Sequence, residues 1–66
     1  MKLINRSTKQ EIKIGDEVLN FRDEKYTLRN IFMPGTSQGG RGGRVVLKGL
    51  PQTFFPAVIN AEFVDD

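Results

Sequence analysis

Short apolar runs alternate with turn-forming residues along the whole chain, and this alternation restricts the fold more than any other feature of the sequence. Strand-like runs recur about every 8 to 12 residues, a spacing typical of small all-β domains. No segment keeps the 3.6-residue period that marks an amphipathic helix. The pattern therefore predicts an all-β protein. Its strand-like runs lie at 2–4, 11–14, 18–21, 26–33, 44–48, 53–55 and 61–64.

Local residue choices add detail to this pattern. The runs at 2–4 and 11–14 are separated by a polar turn, so we expect them to pair as a hairpin. The charged segment 22–25 should form an exposed hairpin tip, and the apolar end of the 26–33 run indicates a β-bulge near Asn30. Pro56 suits a first helical position, and too few residues follow it for an α-helix, so a 3₁₀ turn is predicted at 56–60.

The composition removes most catalytic chemistry. The 66 residues include no cysteine, histidine or tryptophan, so disulfides, thiol nucleophiles, imidazole bases and tetrahedral zinc sites are excluded. Neither Ser7 nor Ser37 has a histidine or a suitable lysine partner. The acidic pairs at 16–17 and 23–24 suit turns and lack the spacing of a metal-binding loop. We expect a non-enzymatic protein without metal or cofactor.

A chain this short should form one domain, residues 1–66, in which 38% of the residues are apolar. Without disulfides or metal, burial of these residues must offset an ordering cost of about 1.5 kcal/mol per residue. A closed barrel buries them economically and leaves no exposed sheet edge. The prediction is a small barrel of about five strands.

The positive charges are confined to one part of the chain. The net charge is +2, from ten basic and eight acidic residues. All ten basic residues lie in 1–48, whereas 49–66 carries only acids, and the sequence leaves open whether the two parts fold side by side. The chain has no run of 18 apolar residues and no signal-peptide core, so we expect a cytoplasmic protein without membrane contact.

The segment 34–43 is rich in glycine and should form the longest loop of the protein. It offers nothing to bury, so we expect it to be mobile. Residues 39–44 (Gly-Gly-Arg-Gly-Gly-Arg) resemble the RGG segments of RNA-binding proteins, in which arginine pairs with phosphate or stacks on bases. A flexible connection with two arginines for solubility accounts for the same residues. No Gly-Lys-Ser/Thr follows, so the segment is not a P-loop.

Basic residues interleaved with aromatic ones suggest a nucleic-acid surface on adjacent strands. In the Phe54-Phe55 doublet, strand alternation sends one ring inward and one outward, and an exposed ring beside Arg44 would favour binding. A small core needs most of its phenylalanines, which favours packing instead. The candidate nucleic-acid-binding residues are Arg29, Phe32, Arg41, Arg44, Lys48 and Phe54, with Phe55 as the other member of the doublet.

Two segments resemble SH3-like barrels, the group that includes KOW and Tudor-like domains. Residues 12–18 (Ile-Lys-Ile-Gly-Asp-Glu-Val) look like their opening, where a Gly-Asp pair leads into the first long strand. Residues 55–59 (Phe-Pro-Ala-Val-Ile) resemble their 3₁₀ turn before the final strand. The whole layout, including 26–28, 43–45 and 54–56, is similar to small proteins of tailed bacteriophages and prophages. The resemblance implies a five-stranded SH3-like barrel with a 3₁₀ turn before the last strand, acting in the host-cell cytoplasm.

The chain departs from two branches of this group. Peptide-binding SH3 domains use a cluster of Tyr and Trp, whereas this chain has one Tyr and no Trp, which argues against recognition of proline-rich peptides. KOW domains carry glycines after the first strand, where this chain has the charged segment 22–25. This difference weakens the transfer of their RNA-binding role.

Two hypotheses about function follow. The first is a module that binds nucleic acid through a basic surface and the Gly/Arg loop. The alternative is an accessory protein that binds a host or phage protein through an exposed aromatic patch. We expect a monomer or a weak homo-oligomer, and self-association through an open barrel edge is a variant of the second hypothesis.

Overall fold

The computed structural model describes residues 1–65, which fold into short strands and one turn of 3₁₀ helix. The predictions of an all-β protein and of a 3₁₀ turn before the last strand are confirmed. The helix, Pro56–Ile59, begins at the proline and directly precedes the last strand. The strands within this range are β1 (Lys2–Asn5), β2 (Glu17–Leu19), β3 (Lys25–Phe32), β4 (Arg44–Leu47), β5 (Thr53–Phe54) and β6 (Ala61–Val64).

The strands form two antiparallel sheets. One contains β1 and β6, and the other has the order β2-β3-β4-β5. Residues 1–65 thus hold six strands where the sequence predicts five, and their pairing leaves both sheets open. β5 is only two residues long and ends close to Pro56, which has no N–H to continue a ladder. Closure into a barrel stays a prediction.

The predicted strand at 11–14 is wrong. Its pairing with β1 is reduced to a bridge between Ile4 and Glu11, beside which the Ile12 N–H donates to the Leu3 carbonyl at 2.8 Å. Beyond Glu11 the chain turns, because the carboxylate of Asp16 accepts the N–H of Lys13 at 2.9 Å and the Asp16 N–H donates to the Lys13 carbonyl at 3.0 Å. A side chain here occupies a backbone group that a strand would pair.

Both sheets contribute to one apolar core. Its buried members come from every strand except β5, together with the 3₁₀ helix and the loop after β1. Leu28 and Val45 are completely buried at its centre. The core cluster consists of Leu3, Ile12, Val18, Leu28, Val45, Leu47, Ile59 and Ala61.

The pairing of β1 with β6 settles how the charges are arranged. Lys2 lies opposite Val64, so the basic first part of the chain and the acidic last part are neighbours. Lys9 reaches to 4.0 Å from Glu62. The charge asymmetry along the sequence is therefore partly cancelled in space.

The predicted bulge in β3 is confirmed and determines which side chains face outward. The register with β4 shifts between Leu28 and Asn30. Leu28 before the shift is buried, and Ile31 after it also packs against the core. One extra residue lets both reach the core although their spacing is odd. Phe32 consequently lies opposite Arg44 of β4.

The predicted hairpin tip between β2 and β3 is also confirmed. The side-chain oxygen of Asn20 accepts the N–H groups of Arg22 at 2.9 Å and Glu24 at 3.0 Å. Asp23 adopts a left-handed conformation, with φ of 60°, which Asp tolerates better than most residues. The tip thus depends on one amide side chain.

Candidate nucleic-acid interface

An arginine stacked on an exposed aromatic ring marks the outer face of the β4 region. Val45 and Leu47 point into the core, so Arg44 lies on the opposite face of β4. The guanidinium carbon of Arg44 lies 3.9 Å from the ring centroid of Phe55. Phe55 is nevertheless 58% exposed. The pair offers a planar cation and an aromatic ring to solvent at one position.

Phe54 is the inward ring of the Phe54-Phe55 doublet. It lies opposite Val45 and packs against the core cluster. The predicted alternation of the two rings is therefore confirmed, and the exposed ring beside Arg44 is Phe55. Phe32, another candidate, is half-buried opposite Arg44. The choice between the two rings follows from the pairing of Phe54 with Val45 in β4, which alternation along the sequence does not reveal.

The glycine-rich loop is folded upon itself by a network around Thr36. The Thr36 hydroxyl donates to the Met33 carbonyl at 2.7 Å and accepts the Gly39 N–H at 3.0 Å. The Gly40 N–H donates to the Thr36 carbonyl at 2.9 Å, and Gly35 and Gly40 are also hydrogen-bonded. Gly39 itself is buried. The expectation that this loop has nothing to bury is wrong.

Gly43 connects this loop to β4 and packs closely against β6. It has φ of 77°, in the region that favours glycine. A Cβ atom at this position would collide with the ring of Phe63 and come within 3.0 Å of the Phe32 carbonyl oxygen. Gly43 therefore permits the close approach of the chain to Phe63 directly before Arg44.

The remaining predicted residues do not all gather at Arg44. Arg29 and Lys48 line a separate shallow cavity of about 410 Å³, together with the exposed side chain of Ile14. Lys48 follows Arg44 by four residues on the same face of the chain, which places it roughly 13 Å away along the strand direction. The predicted surface thus has two cationic ends, Arg44 at one and Arg29 with Lys48 at the other.

Arg41 is exposed on the loop beside the Arg44 end. The neighbouring Gly42 lines an apolar groove of about 460 Å³, together with Phe55 and Phe63. Arg6, from the turn after β1, also lines this groove, as does Glu62. The Arg44 end therefore combines aromatic surface with several arginines and one acid.

A second arginine–ring pair provides a useful contrast. The guanidinium carbon of Arg22 lies 5.3 Å from the ring centroid of Phe21, which is 76% exposed. This pair is at the β2–β3 tip, next in sequence to Asp23 and Glu24. The two acids next to the Arg22–Phe21 pair make its electrostatic environment different from that of Arg44.

Two further observations concern other kinds of site. Among residues 1–65, no three or more Asp, Glu, His or Cys side chains come together in a way that could hold a metal ion. No helix within the described part of the chain has the length and apolar character needed to cross a membrane.

Comparison of the chain with known proteins gave no match. No protein-family model matches the chain. The searches of curated proteins and of solved structures likewise found no match.

Proposed function

We propose that this protein is a non-enzymatic SH3-like domain that binds nucleic acid on the outer face of β3 and β4 and on the adjoining Gly/Arg loop. The observation that carries the proposal is the stack of Arg44 on the exposed ring of Phe55. Bases stack on aromatic rings and on guanidinium planes without regard to sequence, and arginine pairs with phosphate. A strand whose bases are unpaired gains most from such a platform.

The spacing of the cations supports an extended path for the bound strand. Arg41 and Arg44 lie at one end of the face, and Arg29 and Lys48 lie about 13 Å further along it. Phosphates leaving the Arg44–Phe55 stack would meet Lys48 next. For four phosphates neutralised in a single strand, log K should fall with log salt at a slope of about −2.8.

The SH3-like part of the proposal rests on strand order. A β1–β6 pair, a separate sheet of the central strands and a 3₁₀ turn before the last strand suit such a barrel. A phage or prophage origin belongs to the same proposal and rests on the resemblance of the layout alone.

The test is a fluorescence anisotropy titration of labelled oligothymidine and of a labelled duplex at 50 mM salt. We expect the single strand to bind more tightly than the duplex, and Phe55→Ala to weaken its binding by about 5-fold to 150-fold, the loss of one stacked base. Phe21→Ala is the matched control, since it also removes an exposed ring beside an arginine. The proposal is contradicted if neither oligonucleotide binds, or if Phe55→Ala and Phe21→Ala weaken binding equally.

The apolar groove beside Phe55 favours a second candidate, a protein-binding accessory. Pro34, Pro56 and Phe63 line this groove with Phe55. Under this alternative, a host or phage protein would be retained by the immobilised domain, and replacing Arg41 and Arg44 by alanine would not reduce retention. Loss of retention in that double variant would count against it.

A further inference from the structure

β2 has one unpaired edge. It lies at the end of the β2-β3-β4-β5 sheet, and within residues 1–65 no strand pairs with its other side. Such an edge presents backbone N–H and C=O groups that can pair with another chain. Proteins commonly cover or block edges of this kind, and recognition domains use them to bind extended peptides.

The hydrogen bonds around β2 identify which residues face the open side. Asn20 bonds to Glu24, and the carbonyl of Asp16 accepts the N–H of Leu28. Bonded pairs alternate along an antiparallel ladder, so Val18 is the residue of β2 that bonds to β3. The backbone groups of Glu17 and Leu19 therefore point away from β3.

A second observation agrees with this assignment. The carbonyl of Thr27, the Cα partner of Glu17, accepts the N–H of Lys48 on the far side of β3. No turn, loop or side-chain group of the described residues bonds to the backbone of Glu17 or Leu19. Two residues with i, i+2 spacing thus keep donors and acceptors available for an added strand.

A groove of about 540 Å³ runs beside this edge, between β2 and the segment after β1. Leu19, which is 46% exposed, provides apolar surface at the groove, and the largely buried Ile12 and Val18 form part of its floor. Amide and hydroxyl side chains surround them. No lysine or arginine lines the groove, although four acids do. These acids are Glu11, Asp16, Glu17 and Asp23.

The charges of the groove select the occupant. Asp16 is engaged by the Lys13 N–H, and Glu17 lies 4.0 Å from Lys25 on the outer face. Glu11 and Asp23 have no ion pair within residues 1–65. A groove with this lining repels phosphate and attracts a chain that carries positive side chains.

We propose that an extended polypeptide segment with lysine or arginine at alternate positions adds to β2 as a further strand. Its backbone pairs with Glu17 and Leu19, its apolar side chains contact Val18 and Ile12, and its basic side chains meet Glu11 and Asp23. The groove is lined by none of the cationic or aromatic residues of the proposed nucleic-acid surface, so the proposal does not depend on nucleic-acid binding.

The probe is a capped hexapeptide that alternates lysine and valine, with a glutamate–valine peptide as the charge control. Amide NMR shifts and hydrogen exchange are recorded on the ¹⁵N-labelled protein. We expect the basic peptide to shift residues 17–19 and to slow exchange of the Glu17 and Leu19 amides. Shifts confined to other regions, or equal binding of the acidic peptide, overturn the proposal.

Leu19→Pro tests the backbone pairing at this edge most directly. It removes the outward N–H of the edge and leaves the bonds of Val18 to β3 intact, and proline is tolerated on edge strands in this orientation. We expect it to weaken peptide binding about tenfold or more while oligothymidine binding is unchanged. Unchanged peptide affinity overturns the proposal.

Glu17→Lys serves as a second variant, independent of any effect of proline on folding. It should weaken the basic peptide and strengthen the acidic one, because it reverses a charge on the edge. Sedimentation of the free protein shows whether a second copy occupies the edge instead. A dimer that Leu19→Pro dissociates, or failure of both peptides to bind, overturns the proposal.

Discussion

Alanine substitutions at four loop glycines separate backbone strain from steric conflict. Gly42 has open space and an ordinary φ, whereas Gly40 has open space but φ of 64°. A Cβ at Gly39 would meet the backbone carbonyls of residues 32 and 33. Gly43 combines φ of 77° with the collision against the Phe63 ring. The four positions form a complete comparison within one short segment.

The structure gives a different expected free energy for each variant. Gly42→Ala should be neutral or stabilise the protein by about 0.4 to 1 kcal/mol, because it restricts the unfolded chain. Gly40→Ala should cost about 1 to 2 kcal/mol for the left-handed conformation. Gly39→Ala should cost about 1 to 3 kcal/mol, since backbone must move. Gly43→Ala adds both effects and should cost about 2 to 5 kcal/mol.

The assay is urea unfolding followed by far-ultraviolet circular dichroism, since the protein has no tryptophan. A protein of this size has an m value of roughly 1 kcal/mol per molar urea, so the midpoint for Gly43→Ala should fall by about 2 to 5 M. The total stability expected for 66 residues is only about 3 to 10 kcal/mol, so this loss is large. Equal midpoints for Gly42→Ala and Gly43→Ala would refute the reasoning, because a loop that packs against nothing tolerates both.

Three further predictions concern stability and can use the same urea assay. Leu28→Ala should lower the free energy of unfolding by about 2 to 5 kcal/mol, because the side chain is fully buried. Leu19→Ala, at a 46% exposed residue, should lower it by less than about 0.5 kcal/mol. Similar losses for the two variants would contradict the assignment of Leu28 to the core. Asn20→Ala should cost about 1 to 2 kcal/mol, because two backbone N–H groups at the β2–β3 tip lose their acceptor; an unchanged midpoint would contradict it. Lys9→Ala should change the free energy of unfolding by less than about 0.5 kcal/mol, since its ion pair with Glu62 is long and exposed. A larger loss would contradict this expectation.

Most strand positions could be predicted because they depend on short-range periodicity. Turn residues and alternation located β3, including the bulge that reconciles Leu28 with Ile31. Pro56 identified the 3₁₀ turn for an equally local reason. The 11–14 run failed because the Asp16 carboxylate competes for the backbone, and apolar alternation carries no sign of that bond.

The site depended more on contacts between distant residues. Alternation could show that one of Phe54 and Phe55 points outward, but the choice follows from pairing with Val45 in another strand. The glycine-rich loop has the composition of a flexible linker. Its packing depends on Phe63, which is 20 residues away in the sequence, and composition alone does not reveal that neighbour.

The β1–β6 pair also has a consequence for how the chain folds. The hairpins β2–β3 and β3–β4 connect neighbours in sequence, whereas Lys2 meets Val64 only when almost the whole described chain has been brought round. Closing so long a segment is entropically costly, and folding slows as contacting residues lie further apart in sequence. We therefore expect the central hairpins to form early and the terminal strands to join last. Until these strands pair, the core lacks Leu3 and Ala61, and one of its sides stays open to water.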